Sequence, residues 1–199
     1  MRFLSALVAV SLAACSGEIS APGTDAGGVT GDSGRVIDAG GTVIDAGPTL
    51  GEDPSVAGIV AAHNAARAAV SPAPTSGPMP ALVWSPSAYT TARTWAAGCQ
   101  FAHNAGRGNL GENIFATSGS TTAQAVVTSW VSEKTSYNYA ANSCSGTCGH
   151  YTQVVWAATT AIGCAAQNCT TGSPLGGGNW QFWVCDYSPP GNFGGQRPY

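Results

Sequence analysis

Charge is what this chain has least of. Asp, Glu, Lys and Arg make up 9% of its 199 residues, and it holds three His and two Met. Seven Lys and Arg, scattered along the chain, form no basic patch, which excludes a nucleic-acid binder. No His-Glu-x-x-His occurs, so the helical zinc-protease arrangement is absent. No Gly-x-Ser-x-Gly occurs, so the strained serine elbow of the hydrolases is absent too. The Gly-rich stretch Gly172–Gly178 lacks the Lys-Ser/Thr of a phosphate loop and precedes a strand pattern, which excludes nucleotide binding there. Nor is any apolar run long enough to span a bilayer. Phe3–Leu12, an apolar run of ten after Met1-Arg2, has the length of a signal-peptide core.

Glycine and proline, by contrast, are plentiful at 27 and 12 residues, too many for a helical bundle and suited to long loops. The length accommodates one domain plus an appendage. The charge is split along the chain. Residues 16–53 carry Glu18, Asp25, Asp32, Asp38, Asp45, Glu52 and Asp53 against Arg35 alone. Residues 54–199 carry Arg67, Arg93, Arg107, Lys134 and Arg197 against Glu112, Glu133 and Asp186.

The leader ends Leu12-Ala13-Ala14-Cys15, which resembles a bacterial lipobox. Residues 1–14 then form a lipoprotein-type signal peptide, and Cys15 is the lipid-modified first residue of the mature chain. Anchoring by two or more acyl chains would be stable. Ser16, in place of a retention Asp, favours the outer membrane of a bacterial envelope. The alternative is plain secretion with a free thiol. Residues 15–53 are low in complexity, lack aromatic residues and repeat Val-Ile-Asp-Ala-Gly at 36–40 and 43–47. They bury too little apolar surface to offset ordering entropy and read as a disordered acidic tether. Their aspartates do not follow the grammar of a calcium loop.

The domain spans 54–199. Asp53-Pro54 pairs an N-cap with a residue suited to the first helical turn, and Ile59, Ala62, His63, Ala66 and Val70 follow at helical spacing. His63 lies on that core stripe and reads as structural. Ser85-Pro86 opens a second helix running to about Ala97, with Tyr89, Ala92, Trp95 and Ala96 inward. A strand covers about 110–116. A third helix runs from Thr121 or Thr122 to about Lys134, with Val126, Val127, Trp130 and Val131 as its apolar face. Glu133 falls at its end, where the helix dipole disfavours a carboxylate, so something else must hold it. Residues 149–156 read as a short helix, and 161–166 and 179–187 as strands. Large apolar side chains stand at both alternating sets of the last strand, so both of its faces are covered. Six of the seven cysteines lie between 99 and 185, an even set that reads as three disulfides. Spacing alone leaves fifteen pairings open.

Three motifs carry the strongest signal. Gly149-His150-Tyr151-Thr152-Gln153-Val154-Val155-Trp156 is followed by Ile162-Gly163-Cys164, and Trp183-Val184-Cys185-Asp186-Tyr187-Ser188-Pro189-Pro190-Gly191-Asn192 lies beyond. Asn109-Leu110-Gly111-Glu112-Asn113 comes before both, together with His63-Asn64-Ala65-Ala66-Arg67 and Cys99-Gln100-Phe101-Ala102-His103-Asn104. In this order the motifs resemble the CAP superfamily, which covers cysteine-rich secretory proteins, insect venom antigen 5 proteins and plant pathogenesis-related 1 proteins. The ending Gly195-Gln196-Arg197-Pro198-Tyr199 resembles the plant type most closely. The resemblance implies an α+β fold, an α-β-α sandwich with a small antiparallel sheet between helices. It implies the disulfides Cys99–Cys169, Cys144–Cys148 and Cys164–Cys185. It also implies a tetrad at a metal site: His103, Glu112, Glu133 and His150, with the histidines as the usual ligands and the glutamates beside them. Asp186 departs from the family, which more often has an uncharged residue there.

Buried ionisable groups must be paired or metal-bound, and two imidazoles with two carboxylates suit zinc, held weakly by so few ligands. The resemblance implies an exported, monomeric module that binds a hydrophobic ligand such as a sterol, a fatty acid or another lipid, or a cell-surface partner. Two alternatives stand beside it: a zinc-dependent hydrolase of peptide or cell-wall substrates, and a disulfide-held scaffold whose tetrad only ties loops together.

Overall fold

The computed structural model describes residues 35–37, 43–45 and 51–199. Residues 1–14, read above as a signal peptide, and Cys15 lie outside them. Within the acidic segment, β1 (Arg35–Ile37) and β2 (Val43–Asp45) pair antiparallel, Val36 opposite Ile44. The repeat supplies β-branched residues to both short strands, which favours extended backbone.

The domain is a separate unit. Asp53 accepts the Ser55 amide proton and caps a 3-10 turn at Pro54–Val56 rather than the first helix. Gly58, with φ 85°, breaks the chain direction, and α1 (Ile59–Ala68) starts after it. Its first amides find their acceptor upstream: Glu52 takes the N–H groups of Gly58 and Val60. Tyr89 donates its hydroxyl to Asp53. Glu52 and Asp53 are therefore tied into the domain.

Beyond β3 (Val83–Trp84), α2 (Pro86–Ala96) begins as its sequence implies, with Ser85 accepting from Ala88 and Pro86 in the first turn. β4 (Gly111–Thr117) leads to α3 (Ala123–Ser132), capped by Thr122. The helix stops short of Lys134, and Glu133–Ser136 continues as a 3-10 turn. A small ribbon of β5 (Tyr137–Asn138) and β6 (Ser143–Cys144) precedes α4 (Gly149–Val154). β7 (Ala161–Cys169) and β8 (Trp180–Ser188) complete the sheet.

The sheet order is β3-β7-β8-β4. Its long strands pair antiparallel as expected, whereas the two-residue edge strand β3 runs parallel to β7, so the sheet is mixed. Central β8 is covered on both faces, which explains its unbroken apolar character. Trp183, Cys185 and Tyr187 pack with α1, α3 and α4 residues such as Ile59, Trp130 and Val154. Trp180, Phe182 and Val184 pack with Tyr89, Ala92 and Ala96 of α2. Gly163 lets α2 approach this closely: a Cβ there would lie 2.0 Å from the Tyr89 amide nitrogen. The three disulfides are Cys99–Cys169, Cys144–Cys148 and Cys164–Cys185. Among the described residues no helix is long and apolar enough to cross a membrane.

Candidate metal and ligand cleft

The four tetrad residues form two histidine–glutamate pairs, of which Glu133 with His150 lines a groove and His103 with Glu112 is not among its lining residues. His150 lies in the first turn of α4, in contact with Glu133 at the end of α3. Its Nδ1 bonds Glu133 Oε1 at 2.6 Å, and its backbone N–H donates to Glu133 Oε2 at 2.9 Å. The Tyr151 N–H donates to the same oxygen at 3.2 Å. The carboxylate that sits unfavourably at the end of α3 is thus held by the free amides at the start of α4. His103, in the loop before β4, bonds Glu112 Oε1 through Nδ1 at 2.7 Å, and the Asn104 N–H donates to the same oxygen. The Glu112 side chain is fully buried, while the His103 side chain is 54% exposed.

In both rings Nδ1 faces a carboxylate and carries the proton, so Nε2 presents the lone pair of the neutral imidazole. A carboxylate behind a histidine is the arrangement that orients a metal ligand and raises its basicity. The donor chemistry of each pair, an imidazole Nε2 backed by a carboxylate on Nδ1, is of the kind that suits a divalent ion. Among the described residues no three His, Cys, Asp or Glu side chains are grouped to hold a metal. Both oxygens of Glu133 and one of Glu112 are engaged with their own histidine's segment, which makes the glutamates orienting groups.

β4 joins the two pairs. Asn113, next to Glu112, donates from Nδ2 to the His150 carbonyl and to the Tyr187 hydroxyl. Tyr187 passes its own proton to Nε2 of His63, whose Nδ1 donates to the Ile59 carbonyl. His63 is wholly buried, and burial lowers its pKa to about 4, the Ile59 bond opposing and Arg67 adding. It is structural, as its position on the core stripe implies. Asn113 and Tyr187 stand within the quoted motifs, but nothing in the sequence around them signals this linking task.

Two further buried groups surround the site. Arg67 is 1% exposed and donates to the carbonyls of Pro80, Val154, Trp156 and Thr159, with no carboxylate partner among the described residues. Burial lowers its pKa to about 10. It ties α1 to the end of α4 and so steadies the helix that carries His150. Asp186 lies directly opposite Glu112 across β8 and β4, wholly buried, with neither carboxyl oxygen bonded to protein. Burial raises its pKa to about 8, the Glu112 charge adding and Arg107 opposing.

Glu133 and His150 line a groove of about 360 Å³ whose other walls include Phe101, Ile114, Phe115, Trp130 and Leu175. The His150 ring stacks on Trp130, 6.2 Å between centroids. A larger groove of about 500 Å³ runs beside Cys144–Cys148 between Trp156 and Phe193, and no histidine or carboxylate lines it. Four of the six tryptophans (Trp130, Trp156, Trp180 and Trp183) are buried in the core.

The comparisons identify the family and the fold. Residues 60–187 match the model of the CAP, or cysteine-rich secretory protein, family. The chain is 38% identical to Pathogenesis-related protein 1 of Arabidopsis thaliana over 144 residues, 70% of this chain and 80% of that protein. Its structure superposes on venom allergen-like protein 4 of Schistosoma mansoni with a TM-score of 0.60 at 24% identity, covering 74% of this chain and 94% of the other. It superposes on NaASP2 with Zn2+ with a TM-score of 0.56 at 27% identity, covering 76% and 88%. The chain belongs to the CAP family of cysteine-rich secretory proteins.

Proposed function

We propose that the domain is an exported binding module that takes a small amphiphilic ligand, a fatty acid, sterol or other lipid, in the groove beside His150. The observation that carries this reading is the composition of that groove. It places Phe101 and Leu175, 41% and 51% exposed, on the same walls as Glu133 and His150. Large apolar side chains left in water beside convergent polar groups mark a ligand site. His103 and His150 would hold a zinc ion through Nε2, and the solved NaASP2 with Zn2+ supports that choice. Bound there, the ion would supply an electropositive centre for an oxygen of the ligand's head group. The chain's own part is to orient both rings through Glu112 and Glu133, and to line the groove with apolar carbon.

A hydrolase reading fares worse on the same geometry. Glu133 is committed to three N–H donors, which leaves it poorly placed to take a proton from water, and the remaining base candidate, Glu112, has its free oxygen Oε2 buried. The lipobox adds a display mechanism: lipid attached to Cys15 would hold the domain at a membrane surface, in a bacterial envelope with the outer membrane favoured, on its acidic tether. The test is equilibrium binding of fatty acids, sterols and lipid headgroups to the disulfide-bonded protein. Saturable binding of one apolar class, weakened by Phe101→Ala, is expected. No saturable binding across all three classes would refute the reading.

A further inference from the structure

The glycine-rich loop between β7 and β8 forms one wall of the cleft. Pro174 and Leu175, at its tip, line the groove that contains Glu133 and His150. Phe101 lines the same groove. The two stretches spring from one covalent root: Phe101 lies just past Cys99, Leu175 a few residues past Cys169, and the two cysteines are bonded.

The two stretches differ in how firmly they are held. Phe101 packs edge-on against Trp180 and Phe182, at 6.2 and 5.8 Å between centroids. The start of the glycine loop is equally fixed. Trp180 Nε1 donates to the Thr171 carbonyl at 2.8 Å, and a Cβ on Gly172 would lie 2.4 Å from the Cys99 carbonyl oxygen. The tip is a small self-bonded turn, with the Leu175 N–H donating to Ser173 Oγ at 3.2 Å. After the tip the constraints end. Gly176, Gly177 and Gly178 have φ of 94°, 119° and 78°, and nothing lies within 4 Å of where their Cβ atoms would be. Three successive glycines with positive φ give this segment of backbone wide conformational freedom. Leu175 meanwhile stays half in water, at a hydrophobic cost that a contact within the groove would remove.

We propose that Pro174–Leu175 is a lid that swings on Gly176–Gly178 toward Phe101 and closes over the apolar part of a bound ligand. This rests on the reading of the groove as a hydrophobic-ligand site and adds to it the residue that sets retention. Phe101 is the fixed jaw and Leu175 the moving one. The ligand class that fits is a slender apolar chain ending in a polar head, because the polar lining is confined to Ser129, Glu133 and His150 while both jaws are apolar. A closing loop of this kind acts on dissociation more than on encounter.

The experiment is stopped-flow fluorescence with 11-(dansylamino)undecanoic acid on the full chain and on Leu175→Ala, joined to amide hydrogen exchange over 172–179 and a zinc titration. The expected result is a dissociation rate about tenfold higher in Leu175→Ala, equivalent to about 1.4 kcal/mol. Exchange at 176–178 slows when the probe is bound to the wild type, and zinc affinity is the same in both proteins. An unchanged dissociation rate, or exchange at 176–178 that the probe does not alter, overturns the lid and leaves the ligand site standing. A parallel loss of zinc affinity also overturns it, since Leu175 would then act through the imidazoles. Absence of saturable probe binding to the wild type overturns the lid together with the reading on which it rests.

Discussion

Glu133 and His150 are bonded twice, side chain to ring and side chain to backbone. One carboxylate thereby fixes the tautomer of the imidazole and caps the helix that carries it. Glu133→Gln keeps the size but loses the charge and one acceptor oxygen. The variant should lose about 1–3 kcal/mol of stability, read by chemical denaturation. Zinc affinity at His150 should fall about 10–100-fold, the usual effect of removing a ligand's orienting partner. Unchanged affinity would mean that Glu133 serves the helix alone.

Asp186 and His63 set opposite pH dependences. Asp186 keeps its proton in the fold up to about pH 8 but ionises near 3.8 when unfolded, so its contribution to stability falls as pH rises from about 4 to 8. His63 stays neutral in the fold down to about pH 4 but protonates near 6.5 when unfolded, so its contribution falls as pH drops from 6.5 to 4. The two slopes oppose each other between about pH 4 and 6.5, where stability should be flat. From 6.5 to 8 only Asp186 acts, and stability should decline, by at most about 1.4 kcal/mol per pH unit. Asp186→Asn should remove that decline and raise the melting temperature at pH 8. A decline that persists in the variant would assign it to another group.

Arg67 offers a sharper core test. Four carbonyls accept from its guanidinium, and Arg67→Ala removes that donor from all four; Trp156 O keeps the Thr159 N–H, while the buried Val154 and Thr159 carbonyls lose the guanidinium bond. A loss of about 3 kcal/mol or more is expected from denaturant midpoints. The His150 ring should also lose order, visible as broadening of its imidazole NMR signals.

The start of the domain is testable by truncation. Glu52 holds two amides at the head of α1, and Asp53 holds Ser55 and Tyr89. A chain beginning at Pro54 should be about 1–2 kcal/mol less stable than one beginning at Gly51, comparable to losing a helix cap. Equal stability would mean that these carboxylates are dispensable.

Much of the architecture was legible because it follows local rules. Ser85-Pro86 and Thr122 mark helix starts through their own backbone bonds, and β8 announces burial on both faces by its unbroken apolar residues. The family motifs supplied what spacing does not, the disulfide pairing and the four residues of the tetrad. What escaped the sequence depends on contacts far apart in the chain. Glu52 reaches over a turn to cap a helix six residues away, so the cap appeared to belong to Asp53. Arg67 bonds carbonyls almost ninety residues distant, and a lone arginine on an alanine-rich helix looks like a surface charge. The parallel edge strand β3 has two residues and no period to read. Leu175 sits in a glycine-rich turn whose relation to His150 exists only once β7 and β8 are paired. Asp186 stood out as a charge in an apolar strand, but its position opposite Glu112 required the register of β4 on β8.

The most direct test of the site is zinc calorimetry at neutral pH on residues 51–199 with all three disulfides formed, beside a His103→Ala/His150→Ala double variant. The proposed pairing of His103 and His150 on one ion predicts saturable binding of one zinc per chain, abolished in the double variant. Binding that the double variant retains, or no binding by the intact domain, would contradict the assignment of His103 and His150 as a metal pair.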